Sequence, residues 1–177
     1  MIRIASKAIA LLILAIAAHP AAAEDAPGVA PPEQKFAVAQ APFECRDFRG
    51  QRVVVMDSPG LGDVARARII GRIPYIQMDP ERLVTLPPKL QMFFFGHECG
   101  HHVMAHNFYP TPSVEVDADC WSIMNGRDRG LFTRADVEAF RPYLAHSKGS
   151  AAGHLPGPER ADYLLKCFDD SHEYAHR

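Results

Sequence analysis

Five consecutive residues, His97-Glu98-Cys99-Gly100-His101, can do chemistry as a unit. Two histidines four apart on a helix project within about 40° of one another, so both imidazoles can grip one metal ion. The glutamate that follows the first histidine can reach a water at an open coordination position and take its proton. The pattern is HExxH, an arrangement for metal-assisted hydrolysis. Catalytic zinc takes three protein ligands and leaves a fourth position to water, so a third donor must come from elsewhere in the chain.

An extension of the same helix does not supply it. The metzincin pattern needs glycine at position 104 and histidine at position 107, where this chain has Met104 and Asn107. Beyond a proline-rich break, Glu115-Val116-Asp117-Ala118-Asp119 opens a second helical segment. Glu115 and Asp119 share a face of it, which lets the first bind the metal while the second orients a ligand histidine or the shell around it. Asp117 points about 200° away and reads as solvated.

With HExxH followed by E-x-x-x-D, the chain resembles the gluzincin metallopeptidases, in particular the small members related to the CAAX prenyl endopeptidase type. Asp119 stands in Ala118-Asp119-Cys120, similar to the Ala-Asp ending of that family. The segment His154-Leu155-Pro156-Gly157-Pro158-Glu159-Arg160 resembles the family's H-P-x-x-x-x-R, with Leu155 in place of the first proline. The resemblance spans about residues 73–167. It implies one Zn²⁺ per chain held by His97, His101 and Glu115, with Glu98 as general base. It further implies that His154 helps to hold the oxyanion and that Arg160 pairs with Asp119. The fold it implies is a minimal gluzincin-like domain with a small sheet and an edge strand over the metal helix. That edge would be Arg72, Ile73, Tyr75, Ile76 and Gln77, and a polypeptide substrate would add to it as an extended strand.

Other features have plainer readings. His102 and His106 are also four apart, but they project about 100° or more from the first pair and have no acid nearby, so solvated or supporting roles are expected. Gly96 and Gly100 each cost a helix roughly 0.8–1 kcal/mol against alanine, so something approaches that helix closely: the edge strand, or another helix. Phe93, Phe94, Phe95, Trp121 and Phe132 read mainly as core. His172-Glu173-Tyr174-Ala175-His176 also satisfies HExxH, yet it lies at the terminus with no chain after it to supply a third ligand.

The elements that must position these groups follow from pattern. Lys89 to Asn107 is long, apolar and preceded by Pro87-Pro88, and is expected to be the central buried helix. A second helix should run from Val114 to about Asn125 with Ser113 as N-cap, another over Val137 to Leu144, and a last one over Pro158 to about Phe168. Arg52 to Met56 reads as a strand. Arg68 to Met78 reads as a second, placed at an edge because Pro74 cannot donate to a ladder. Strands first and helices afterwards make the class α+β.

Upstream, Arg3 and Lys7 precede an apolar run from Ala8 to Ala18 and then Ala21-Ala22-Ala23, the layout of a secretory signal peptide over residues 1–23. The run is too short for the roughly 20 residues of a membrane span, so no span is expected after cleavage. Residues 24–42, rich in Ala and Pro, read as a flexible linker, and residues 43–177 as a single domain. Without Arg3 and Lys7 the 19 basic residues fall to 17 against 21 acidic ones. No basic stripe marks a nucleic-acid partner. Cys45, Cys99, Cys120 and Cys167 all follow the cleavage site in a chain bound for an oxidising compartment, secreted or, in a Gram-negative bacterium, periplasmic. Two disulfides are expected, with three connectivities open. The reading is an exported zinc endopeptidase; its rivals are an inactive zinc-bound module of the same fold and a disulfide-stapled domain without metal.

Overall fold

The computed structural model describes residues 43–170. The signal and linker expectations, and the His172/His176 pair, lie outside the described residues. Among the described residues there are three strands, β1 (Val54–Asp57), β2 (Ala65–Ile70) and β3 (Ile73–Met78), followed by six helices, α1 (Pro80–Leu83), α2 (Pro88–Val103), α3 (Val114–Asp128), α4 (Arg134–Glu138), α5 (Arg141–Leu144) and α6 (Gly157–Asp169). The class is α+β, with one small mixed sheet.

The expected strand over residues 68–78 is in fact a hairpin. Gly71, at φ 67°, occupies the first position of a two-residue loop, where a left-handed residue lets the chain reverse and pair Ile70 with Ile73. The sheet order is β1-β3-β2, so β3 is central and not an edge. Tyr75, Ile76 and Gln77 pair with Val54, Val55 and Met56 of parallel β1, while β2 pairs antiparallel on the other side. Arg72 lies in the loop, its carbonyl accepting from Arg49. The expectation that Arg72, Ile73, Tyr75, Ile76 and Gln77 form a free edge is therefore corrected. Pro74 is tolerated in a central strand because β1 begins its pairing only at Tyr75. Along β3, Pro74, Ile76 and Met78 are buried and alternate with more exposed neighbours.

Helix α2 is buried almost all round, as its apolar sequence requires: β2 and β3 pack on it, and so does α3. The approach anticipated at its two glycines is made by α3. A Cβ at Gly96 would overlap the Ser122 hydroxyl, and one at Gly100 would stand 3.3 Å from Ala118 Cα and from the Trp121 ring. The Ser122 hydroxyl donates to the Phe93 carbonyl at 2.8 Å, closing the same contact. Of the five aromatic residues read as core, Phe93, Phe95, Trp121 and Phe132 are buried.

The helices differ from the sequence reading in three boundaries and one cap. α2 stops at Val103 and not Asn107, because Ala105 turns left-handed at φ 59°. Ser113 precedes α3 but caps no N–H; its hydroxyl donates to Asp117 at 2.6 Å. α3 continues to Asp128. The expected helix over 137–144 is two short helices, the first opened by a Thr133–Asp136 capping box.

Disulfides join Cys45 to Cys99 and Cys120 to Cys167, and no described cysteine is free. They close sequence separations of 54 and 47 residues. In the chain-entropy view each removes about 4 kcal/mol of freedom from the unfolded state. The first pins the segment before β1 to α2, and the second pins α6 to α3. Such bonds persist in oxidising surroundings. Among the described residues no helix is long and apolar enough to cross a membrane.

Candidate metal centre

His97 and His101 lie one turn apart on α2, and Glu115 lies in the first turn of α3. Their Nε2, Nε2 and Oε2 atoms converge. The separations are 3.1 Å between the two imidazole nitrogens, 3.1 Å from His97 to Glu115 and 3.4 Å from His101 to Glu115. Bonds of about 2.0–2.1 Å at tetrahedral angles place neighbouring donors about 3.3 Å apart. The triangle therefore has the size that a small four-coordinate ion requires, with a face left open.

Protonation supports the same geometry. Asp119, almost wholly buried, accepts from His97 Nδ1 at 2.7 Å, so Nδ1 carries a proton and the ring is turned with Nε2 toward Glu115 and His101. Arg160 grips the same carboxylate with both arms of its guanidinium, Nε to Oδ2 at 2.8 Å and Nη2 to Oδ1 at 2.7 Å. Its guanidinium also stacks over the Phe93 ring. Arg160 reaches Asp119 because the Cys120–Cys167 bond fixes α6 against α3 one residue from Asp119 and two turns from Arg160.

The pocket calls for positive charge. Burial disfavours a charged His97, but hydrogen bonds to Asp119 and Glu115 and the charges of Asp119 and Glu98 override it and push the imidazole up to about 9. Burial likewise works against the Glu115 carboxylate, yet His101, His154 and His97 hold it far below the ordinary carboxylate range. Asp119 is also held down, by His97 and Arg160 against its own burial.

A cleft of about 420 Å³ opens over the three donors. It is lined by Ala65, Arg66 and Ala67 of β2, by His97, Glu98 and His101 of α2, and by Ser150, Ala152 and His154 of the loop before α6. Phe94, read from the sequence as core, is half-buried and also lines it. Glu98 is buried, and its Oε2 accepts from the Ala67 N–H of β2 at 2.6 Å. His154 places Nε2 2.7 Å from Glu115 Oε2, and its ring stacks 5.4 Å from that of His97. Comparison of the chain with protein-family models, curated proteins and solved structures finds no match in any of the three.

Three further residues shape the site. Ser150 Oγ lies 2.8 Å from His154 Nδ1, and the Ser150 N–H donates to the His154 carbonyl, folding the glycine-rich loop so that the imidazole points inward. His106 Nδ1 stands 3.0 Å from His101 Nδ1. Burial and the neighbouring His101 push His106 down to about 4, so it is neutral. His102, expected to be solvated or supporting, is fully buried, and its Nε2 donates to the Tyr75 carbonyl at 2.9 Å, tying α2 to β3. His102 and His106 stand four apart in the sequence, which points only to solvated or supporting roles, while Ser150 is a loop residue with no spacing signal. Neither disulfide supplies a thiolate to the centre.

Proposed function

We propose that this chain is an exported zinc-dependent endopeptidase of the gluzincin type. The observation that carries the reading is the convergence of the His97, His101 and Glu115 donors on one point, with Glu98 lining the same cleft. Imidazole and carboxylate donors in this number suit zinc with an open position. When bound, zinc supplies Lewis acidity that polarises a scissile carbonyl and makes a water acidic near neutral pH.

The chain's own groups do the rest. Glu98 takes the proton of the attacking water and then delivers it to the departing amine. The Ala67 N–H holds one Glu98 oxygen and leaves the other to exchange that proton. His154 is oriented by Ser150 and its Nε2 stands 2.7 Å from Glu115 Oε2; with that carboxylate turned onto the metal, the same Nε2–H would donate toward the oxyanion of the tetrahedral intermediate. Asp119 and Arg160 fix the His97 ring. The disulfides and the signal-like N-terminus support export to an oxidising compartment.

The substrate strand adds to β2. Since Ala67 turns its N–H away from β3 toward Glu98, period-two geometry turns the backbone groups of Ala65 and Ile69 the same way, along an edge beside the cleft that no other described strand pairs with. An extended polypeptide pairing there would lie across the cleft with little demand on its side chains.

The test is hydrolysis of an unfolded polypeptide by the mature protein, with and without a chelator, beside Glu98→Gln. Cleavage that the chelator abolishes, and a variant that keeps its zinc but is slowed by at least about 10³-fold, are expected. Turnover retained in the zinc-loaded variant would remove Glu98 from its role. Stoichiometric zinc without any cleavage would instead indicate a binding module.

A further inference from the structure

The first metal-facing histidine has an obvious support in Asp119. The second, His101, has one that the HExxH spacing does not reveal. His106 would lie well round the helix from His101 if α2 continued, but α2 ends in a reversal. The Ala105 N–H donates to the His102 carbonyl and the His106 N–H to the His101 carbonyl, the paired bonds of a Schellman motif, with Ala105 at the left-handed position. Glycine normally fills that position; an alanine there costs about 1–2 kcal/mol. Residues held in this way persist where the surroundings over-determine them, often beside functional groups. Here the outcome of the reversal is specific: it brings the His106 ring back to 5.1 Å from the His101 ring, with Nδ1 facing Nδ1 at 3.0 Å.

We propose that His106 is the positioning residue of the second histidine ligand, accepting the Nδ1 proton of His101 and so holding its Nε2 toward His97 and Glu115. One proton bridges the two Nδ1 atoms. It belongs to His101, whose Nε2 must keep a lone pair for a metal, and this leaves His106 with its own proton on Nε2. His106 is not a ligand itself, because its Nδ1 is spent on the far side of the His101 ring. The centre thus has unlike supports, an anion behind His97 and a neutral imidazole behind His101. The inference rests on the metal reading above.

The experiment is zinc affinity of the folded, disulfide-bonded protein, measured by competition with a chromophoric chelator, together with the visible spectrum of the cobalt-loaded form. His106→Phe keeps the ring and removes the acceptor; His106→Asn places a carbonyl oxygen close to the lost nitrogen. Removal of such a partner is expected to weaken zinc binding 10–100-fold and to shift the cobalt bands, with the apo melting temperature unchanged. The asparagine variant is expected to return to within about threefold of wild type. Equal affinity in wild type and His106→Phe, or no recovery in His106→Asn, would overturn the proposal. A wild-type protein that binds no zinc would overturn the metal reading instead. Should His106→Phe not fold, His106→Ala against His106→Asn gives the same comparison.

Discussion

His97 Nδ1 and Asp119 Oδ1 stand 2.7 Å apart, the imidazole on α2 and the carboxylate on α3, both shielded from solvent. Because Arg160 forks onto the same carboxylate, one buried anion holds both the helix pair and the orientation of the His97 ring. Asp119→Asn removes that anion, leaves Arg160 buried without its charge partner, and lets the His97 ring choose either tautomer. Zinc affinity is expected to fall 10–100-fold, and stability by about 3–5 kcal/mol. Chelator competition and urea unfolding of the apo protein measure the two effects separately.

The β2 edge makes a backbone prediction. Ile69 faces Pro74 across the ladder and turns its N–H outward, so Ile69→Pro costs the sheet no hydrogen bond to β3. It does remove a donor from the proposed substrate edge. Zinc content is expected to be unchanged while kcat/KM for an extended peptide falls about three- to tenfold, the worth of one such bond. Steady-state kinetics on a ten-residue peptide would check this; an unaltered kcat/KM would move the substrate off β2.

Acid stability reports on a different part of the fold. The buried Asp47 side chain accepts from the backbone N–H of Arg49 and Gln51 and from the Arg49 guanidinium, shaping the loop next to Cys45. Burial acts against its charge, yet these donors prevail and hold its carboxyl below the usual value. A carboxyl lowered on folding stabilises the protein above its unfolded pKa of about 3.9. That contribution disappears as pH falls through the lower folded value. Asp47→Asn is therefore expected to lower stability by about 1 kcal/mol from neutral pH down to about pH 4, the two proteins converging in stronger acid. Melting temperatures from pH 7 to pH 2 would show it.

How much of this could be read from residue order depends on whether a feature is periodic. The apolar run before His97 marks α2 as a buried helix, and the separations of His97, His101, Glu115 and Asp119 are helical repeats, so their shared faces follow from pitch alone. Cys99 lies two residues from each of His97 and His101, about 200° round the helix, which fits its bond to Cys45 on the other side of α2. The misplaced edge has another origin. Pro74 is the conspicuous ladder-breaker, while Gly71 three residues earlier is the residue that decides the turn. Once the chain reverses there, β2 takes the outer place and β3 the middle. Ala105 is harder still. Nothing in Val103-Met104-Ala105-His106 announces a left-handed alanine, since tertiary packing and not propensity imposes it. His106 and Ser150 reach the site through such irregular backbone, to which no helical or strand period applies.

The central claim is that His97, His101 and Glu115 hold one zinc ion, and zinc K-edge X-ray absorption on the purified protein, with metal content determined on the same sample, tests it most directly. One zinc per chain is expected, in a four-coordinate shell of nitrogen and oxygen at about 2.0–2.1 Å with two imidazoles and no sulfur. A protein purified without zinc after exposure to it, or a shell containing sulfur, would contradict the claim.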